Sequence, residues 1–160
     1  MTESRIEARI RELGYELPVA PAPVAAYVPA VTSGSYVYTS GQLPFVEGAL
    51  PETGKVSDSG AEGSVTPENA KKYAGISLLN ALAAVKSVIG DLDRVQRVVK
   101  VVGFVASEVN FTAQPAVING ASELLGEIFG EAGQHARSAV GVPVLPLDSP
   151  VEVEIIVEYV

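Results

Sequence analysis

Two hydrophobic periods alternate along the chain, and the switches between them mark its elements. Near the N-terminus, Ile6, Ile10 and Leu13 share one face of a helix over residues 4–13, because positions three and four apart lie on one side at 3.6 residues per turn. Ser4 and Glu7 have the spacing of a capping box, and Gly14 ends the helix. "LPVAPAP" (17–23) follows. Its prolines cannot continue a helix, so it reads as an extended linker. Helix and linker together read as an appendage laid against the main body.

The period then drops to two. Val28–Thr32 and Ser35–Ser40 read as a hairpin with Ser33 and Gly34 in the turn. Residues 47–66, "EGALPETGKVSDSGAEGSVT", carry no period and are rich in Gly, Ser and acids. They read as a long surface loop with room for one short strand. A helical stripe comes next, with Tyr73, Ile76, Leu79, Leu82 and Ala83 on it. Thr66 is its cap, Pro67 suits the first helical position, Glu68 favours the positive end of the dipole, and Gly90 closes it. "RVQRVVKVVGFVAS" (94–107) is β-branched and apolar, hence a strand with a deeply buried face. A second helix over 111–130 has Thr112 as its cap, with Val117, Ala121, Leu124, Leu125 and Ile128 apolar. Strands over 136–144 and 151–159, joined by "LPLDSP", complete the chain. In the last strand Val151, Val153, Ile155, Val157 and Tyr159 face one way; Glu152, Glu154, Ile156 and Glu158 face the other.

This order predicts an α+β fold: a single mixed sheet with two long helices on one face, plus a short N-terminal helix. Residues 1–160 read as one domain, with 1–24 as helix and linker and 25–160 as core. The uncovered sheet face carries Glu152 and Glu154. It is wet in a monomer, or packed in an oligomer where its polar groups need partners.

Composition then narrows the function. A chain of 160 residues, 48% hydrophobic, is long enough for one real core. Its formal net charge is -8. Nucleic-acid binders carry a basic stripe, because neutralised phosphates supply most of the affinity. Only Arg94, Arg97 and Lys100 cluster here, which argues against nucleic acid and anionic membranes as partners. A small anion on one arginine stays open. Zero cysteines exclude disulfides and thiolate catalysis, and one histidine without HExxH predicts no metal site. "MTESRIEARIREL" lacks the apolar region of a signal peptide, and no run of ~20 apolar residues exists. The expectation is a soluble, cytoplasmic protein.

"HARSAVGVPV" (135–144) poses the chemical question, since Arg137 opens an otherwise strand-like valine pattern. Arg137, Ala139 and Gly141 share one face; Val140, Val142 and Val144 share the other. If the valine faces of both C-terminal strands meet the helices, Arg137 and Glu152 lie together on the opposite face. A guanidinium with small neighbours has room for a carboxylate, which its planar fork matches. An Arg137–Glu152 pair that merely stabilises the sheet is the plainer alternative. His135 precedes the strand without an obvious Asp or Ser partner and reads as a surface or cap residue. In "TSGQLP" (39–44), Ser40 and Gly41 follow a strand end, where a hydroxyl and N–H groups could meet a ligand or simply make a turn. Tyr27 is an ordinary strand tyrosine. Asn119 is an uncommon choice at mid-helix.

"YTSGQLP", "VINGASELLGEIFG" and "ARSAVGVPVLPLDSPVEVEIIVE", in this order, resemble the RidA/YjgF family of enamine/imine deaminases, also known as endoribonuclease L-PSP or chorismate-mutase-like proteins. The resemblance spans roughly residues 25–160 and points to a longer bacterial subgroup. It implies a homotrimer with a site in each cleft between subunits and no cofactor. It implies that Arg137 binds a substrate carboxylate and that Glu152 positions the hydrolytic water. Tyr27, Ser40, Gly41 and Asn119 would line the pocket. Where RidA proper often has a cysteine, this chain has Ala139. The implied reaction is hydrolysis of a 2-imino acid, or its enamine tautomer, to a keto acid and ammonia. A non-catalytic protein that binds small carboxylates in the same pocket is the alternative. The acidic charge and the lack of a histidine pair speak against a ribonuclease, and one arginine is little for the dicarboxylate of a chorismate mutase.

Overall fold

The computed structural model describes residues 2–23 and 26–160. Strands β1 (Ala30–Ser33), β2 (Tyr36–Thr39), β3 (Val95–Ala106), β4 (Ala136–Val142) and β5 (Val151–Tyr159) form one mixed sheet in the order β1-β2-β5-β3-β4. β3 and β4 run parallel, and the other neighbours run antiparallel. Helices α1 (Arg5–Glu12), α2 (Pro67–Ile89) and α3 (Gln114–Phe129) complete the fold. The architecture is the α+β arrangement that the periodicity predicts. The expected boundary at 24/25 lies outside the described residues.

α2 begins where Thr66 Oγ1 accepts the Asn69 N–H and ends at Gly90, whose φ of 85° suits glycine. From Ser77 to Val85 every residue is buried. A single apolar stripe cannot account for that. The sheet lies on one side of α2, α3 lies alongside, and the Leu43–Phe45 segment lies over it, held by Asn80. The Asn80 amide donates to the Leu43 and Phe45 carbonyls at 3.0 and 3.1 Å.

α1 lies docked against the main body. Ser4 accepts the Glu7 N–H, while the Glu7 carboxylate reaches Lys86 of α2 at 2.6 Å. The remaining N-terminal donors find a distant carboxylate: Asp93 accepts from the Arg5 and Ile6 N–H groups and from the Ser4 hydroxyl. Ile10 is fully buried beneath.

Two local expectations need correction, and the structure adds detail to a third. The hairpin strands are shorter than expected, with Gly34 and Ser35 at the turn between paired Ser33 and Tyr36. Thr112 is not the cap of α3; Ala113 holds that position, and no side chain caps it. The 47–66 loop is pinned at several points. Val56 and Val65 are fully buried and bridge each other, and Val56 also bridges Ser107. Glu52 accepts from the Tyr73 hydroxyl at 2.8 Å and the Asn69 amide at 3.3 Å. Burial, then that bond and the charge of Glu52, push the Tyr73 hydroxyl up to about 12.

Candidate functional site

The sequence places candidate chemistry on β4, on β5 and after β2. The structure gathers it into two groups on opposite faces of the sheet.

The first group surrounds Arg137. Gly103 of β3 leaves a notch, and Ile118 of α3 fills it: a Cβ at Gly103 would lie 2.5 Å from Ile118 Cδ1. That contact sets the rotation of α3, so Asn119 and Ser122, three apart on one helix side, project over β4. Arg137 Nη1 donates to Asn119 Oδ1 at 2.7 Å and to Ser122 Oγ at 3.3 Å. Ala139, opposite Gly103 in the ladder, packs against the core beside it. Arg137 therefore lies on the helix side of the sheet, level with buried Val101 and Ile155. The expectation that the β4 valines meet the helices is overturned. Only the small residues Ala139 and Gly141 fit beneath α3 and the Ser107–Gln114 corner, so Val140 takes the open face, where it is 44% exposed.

The second group surrounds Glu152. After β2, Thr39 Oγ1 stands in for a backbone acceptor and takes the Ile155 N–H at 3.0 Å. One residue is gained there before Gln42 exchanges both backbone bonds with Val153, at 2.8 and 3.0 Å. Gly41 is thereby laid against Glu152 so closely that a Cβ would overlap its carboxylate. Ser40 does not turn its hydroxyl proton to a ligand. It donates to the Val28 carbonyl at 2.7 Å and tethers the segment that bears Tyr27. Tyr27, Gly41 and Glu152 line a cavity of about 340 Å³ with the apolar side chains of Leu43, Phe45 and Leu147. Pro21 and Ala22 of the linker form one wall, so the linker, and not the 47–66 loop, borders this cavity. Burial, then the neighbouring charge of Glu154, raises the Glu152 carboxyl. Hollows of about 550 and 540 Å³ lie beside the 54–64 loop and over the α2–α3 crossing, and neither holds a candidate residue.

The groups stand apart. Glu152 and Val140 both pair with Phe104, and Arg137 is three residues before Val140. The separation is two strands, ~10 Å, across the sheet and ~10 Å along it, with the side chains on opposite faces. Arg137 and Glu152 thus form no ion pair. Among the described residues no carboxylate pairs with Arg137 at all. Sequence reasoning missed Ser122, which lies inside the "VINGASELLGEIFG" motif but was not singled out, and Asn80, which stands in no quoted motif. It also missed the partner of His135, which is Ser122 at 2.8 Å.

A mixed sheet backed by helices on one face defines the fold class, and comparison with known proteins defines the family. Residues 7–159 match the YjgF/chorismate mutase-like endoribonuclease family. Protein TCP17 of Trypanosoma cruzi is 43% identical over 159 residues, covering 99% of this chain and 96% of its own. A crystal structure of an Agrobacterium tumefaciens protein of unknown function has a TM-score of 0.87 at 43% identity, covering 97% of this chain and 93% of that one. TdcF of Escherichia coli, named for deamination of reactive intermediates, is 32% identical over 142 residues, 86% of this chain and 89% of TdcF. Its structure with bound serine has a TM-score of 0.61 at 27% identity, covering 88% of this chain and 94% of that one. The chain belongs to the RidA/YjgF family. None of its helices among the described residues is long and apolar enough to cross a membrane.

Proposed function

We propose that this protein hydrolyses 2-imino acids, or their enamine tautomers, to 2-keto acids and ammonia, at a site completed by two copies of the chain. One observation carries the reading. Arg137 is oriented by two neutral acceptors and left without a carboxylate partner among the described residues. An arginine held ready and unpaired is suited to an external carboxylate.

Two further features support the shared site. Arg137 and Glu152 cannot reach one small substrate from opposite faces of a single sheet, whereas the Arg137 group of one copy can meet the Glu152 group of the next. The open sheet face also presents Val31, Tyr38 and Val140, each 43–50% exposed, an apolar surface suited to burial against a partner. A contact that joins two different patches forms a ring when its rotation closes, and three copies is the number the family resemblance implies.

In this site Arg137 grips the substrate carboxylate and fixes C2 of the imine. Glu152 of the neighbouring copy accepts a proton as water oxygen attacks C2. The proton passes to the nitrogen to give a carbinolamine; its hydroxyl proton is then relayed to the same nitrogen, the C–N bond breaks, and ammonia leaves as the C2 carbonyl forms. A raised Glu152 carboxyl suits a group that both takes and returns a proton. The apolar cavity beside it accepts a hydrocarbon side chain. The same reading takes 1–160 as one domain of a cytoplasmic protein.

The test is ammonia and keto-acid release from imino acids generated in situ. Wild-type protein accelerates release over buffer, and Arg137→Ala abolishes the gain. No acceleration across several imino acids sinks the enzymatic reading. Since the Arg137 group alone suffices to hold a carboxylate, a purely binding protein is the second reading; retained carboxylate binding without turnover would establish it.

A further inference from the structure

The only histidine of the chain lies behind Arg137, and the hydrolysis above gives it no task. His135 Nδ1 is 2.6 Å from the Gly133 carbonyl, and Nε2 is 2.8 Å from Ser122 Oγ. A carbonyl only accepts, so Nδ1 carries the proton, and in that tautomer Nε2 offers a lone pair. The Ser122 hydroxyl then donates to Nε2. Its oxygen lone pairs are left toward Arg137 Nη1 at 3.3 Å, while Asn119 Oδ1 takes Nη1 at 2.7 Å. Among the described residues Nε and Nη2 of Arg137 donate to no protein atom, which leaves that edge of the fork free.

We propose that His135 and Ser122 are positioning residues for Arg137. They complete the pair of acceptors on Nη1 that holds the guanidinium plane, so that the Nε–Nη2 edge meets the substrate carboxylate. Without His135 the Ser122 hydroxyl can rotate and turn its proton toward the guanidinium. Without Ser122 the Nη1 group keeps one acceptor and the plane is free to turn. This inference rests on Arg137 as the carboxylate-binding residue.

Calorimetric titration of the intact oligomer with 2-oxobutanoate tests it. Arg137→Ala abolishes binding. Ser122→Ala and His135→Phe each weaken it about five- to tenfold, the scale of one ordinary hydrogen bond. Ser122→Thr, which keeps the hydroxyl, restores affinity to within about twofold of wild type. The Ser122→Ala/His135→Phe double variant binds no worse than the weaker single, because both act through one chain of bonds. In the wild-type protein a long-range ¹H–¹⁵N correlation at pH 8 shows the Nδ1–H tautomer, and a lone histidine needs no assignment. If wild type fails to bind, or Arg137→Ala binds equally well, the reading of Arg137 falls and this inference with it. If binding depends on Arg137 but the Ser122 and His135 effects are absent or fully additive, only the positioning role is overturned. An Nε2–H tautomer overturns that role without any variant.

Discussion

Gly41→Ala separates the carboxylate proposed to react from the fold that carries it. The new methyl overlaps the carboxylate end of Glu152, lying 2.7 Å from Cδ and 3.0 Å from Cγ. All three obstructing atoms belong to one half-buried side chain, and Gly41 does not have the positive φ that only glycine tolerates. The backbone therefore stays and Glu152 swings away. Displacing a side chain to a poorer rotamer costs roughly 0.5–1.5 kcal/mol, below the ~1–3 kcal/mol of overpacking a rigid core. A shift of ~1 Å in a reacting group costs about 10²-fold in rate. The expected result is a melting temperature only a few degrees lower, 2-oxobutanoate binding retained because Arg137 is untouched, and turnover reduced about a hundredfold. Melting curves, calorimetry and the ammonia-release assay read the three quantities separately. Wild-type turnover in a folded Gly41→Ala protein would refute the assignment of Glu152.

Other consequences follow from particular residues. Turnover that needs ionised Glu152 rises with pH through that raised carboxyl, and Glu154→Gln removes one cause of the raising; the acid limb of kcat/KM shifts to lower pH, and an unmoved limb contradicts the role. Burial works to raise the Asp93 carboxyl, but the Ile6 and Arg5 N–H groups, the Ser4 hydroxyl and the Arg5 charge outweigh it and hold it low. A depressed carboxyl stabilises fully above its unfolded value, about 3.9, and loses that contribution as pH falls through the folded value. Amides of α1 therefore lose exchange protection in acid before those of β3, and Asp93→Ala loosens α1 even at pH 7; equal protection of α1 and β3 throughout would exclude the anchor. Gly103→Ala drives a methyl into Ile118, lowers stability by about 1–3 kcal/mol in denaturant titration, and weakens carboxylate binding through Asn119. A variant as stable as wild type would show that the notch does not seat α3.

Much of the fold was legible because strong periods leave little choice. β5 alternates without a break, and α2 carries cap, N1 proline and closing glycine in sequence. β4 shows the limit. Alternation along "ARSAVGVPV" separates two sets of residues, but nothing local says which set lies beneath a helix. The deciding facts are three-dimensional: α3 sits so low over Gly103 that only Ala139 and Gly141 fit below it, and the valines are left for a surface that one chain does not cover. The loop anchors were half visible, since Val56 and Val65 are isolated valines in a polar stretch, yet only the fold sets them side by side. Ser122 and Asn80 were invisible because each acts on residues distant in sequence, through one hydroxyl or one amide. The seven candidate residues all fall in one or other group, so the motifs anticipated the two clusters while misjudging their division between the faces.

Division of the site between chains is the central claim, and mixed oligomers test it most directly. Arg137→Ala and Glu152→Gln chains, each inactive alone, are co-expressed and purified together. If every site takes Arg137 from one chain and Glu152 from another, random assembly rebuilds about one site in four, as expected for sites at heterologous interfaces. The mixture then shows about a quarter of wild-type turnover. If each site lies within a single chain, no combination restores it, and a mixture as inactive as its parents would contradict the account.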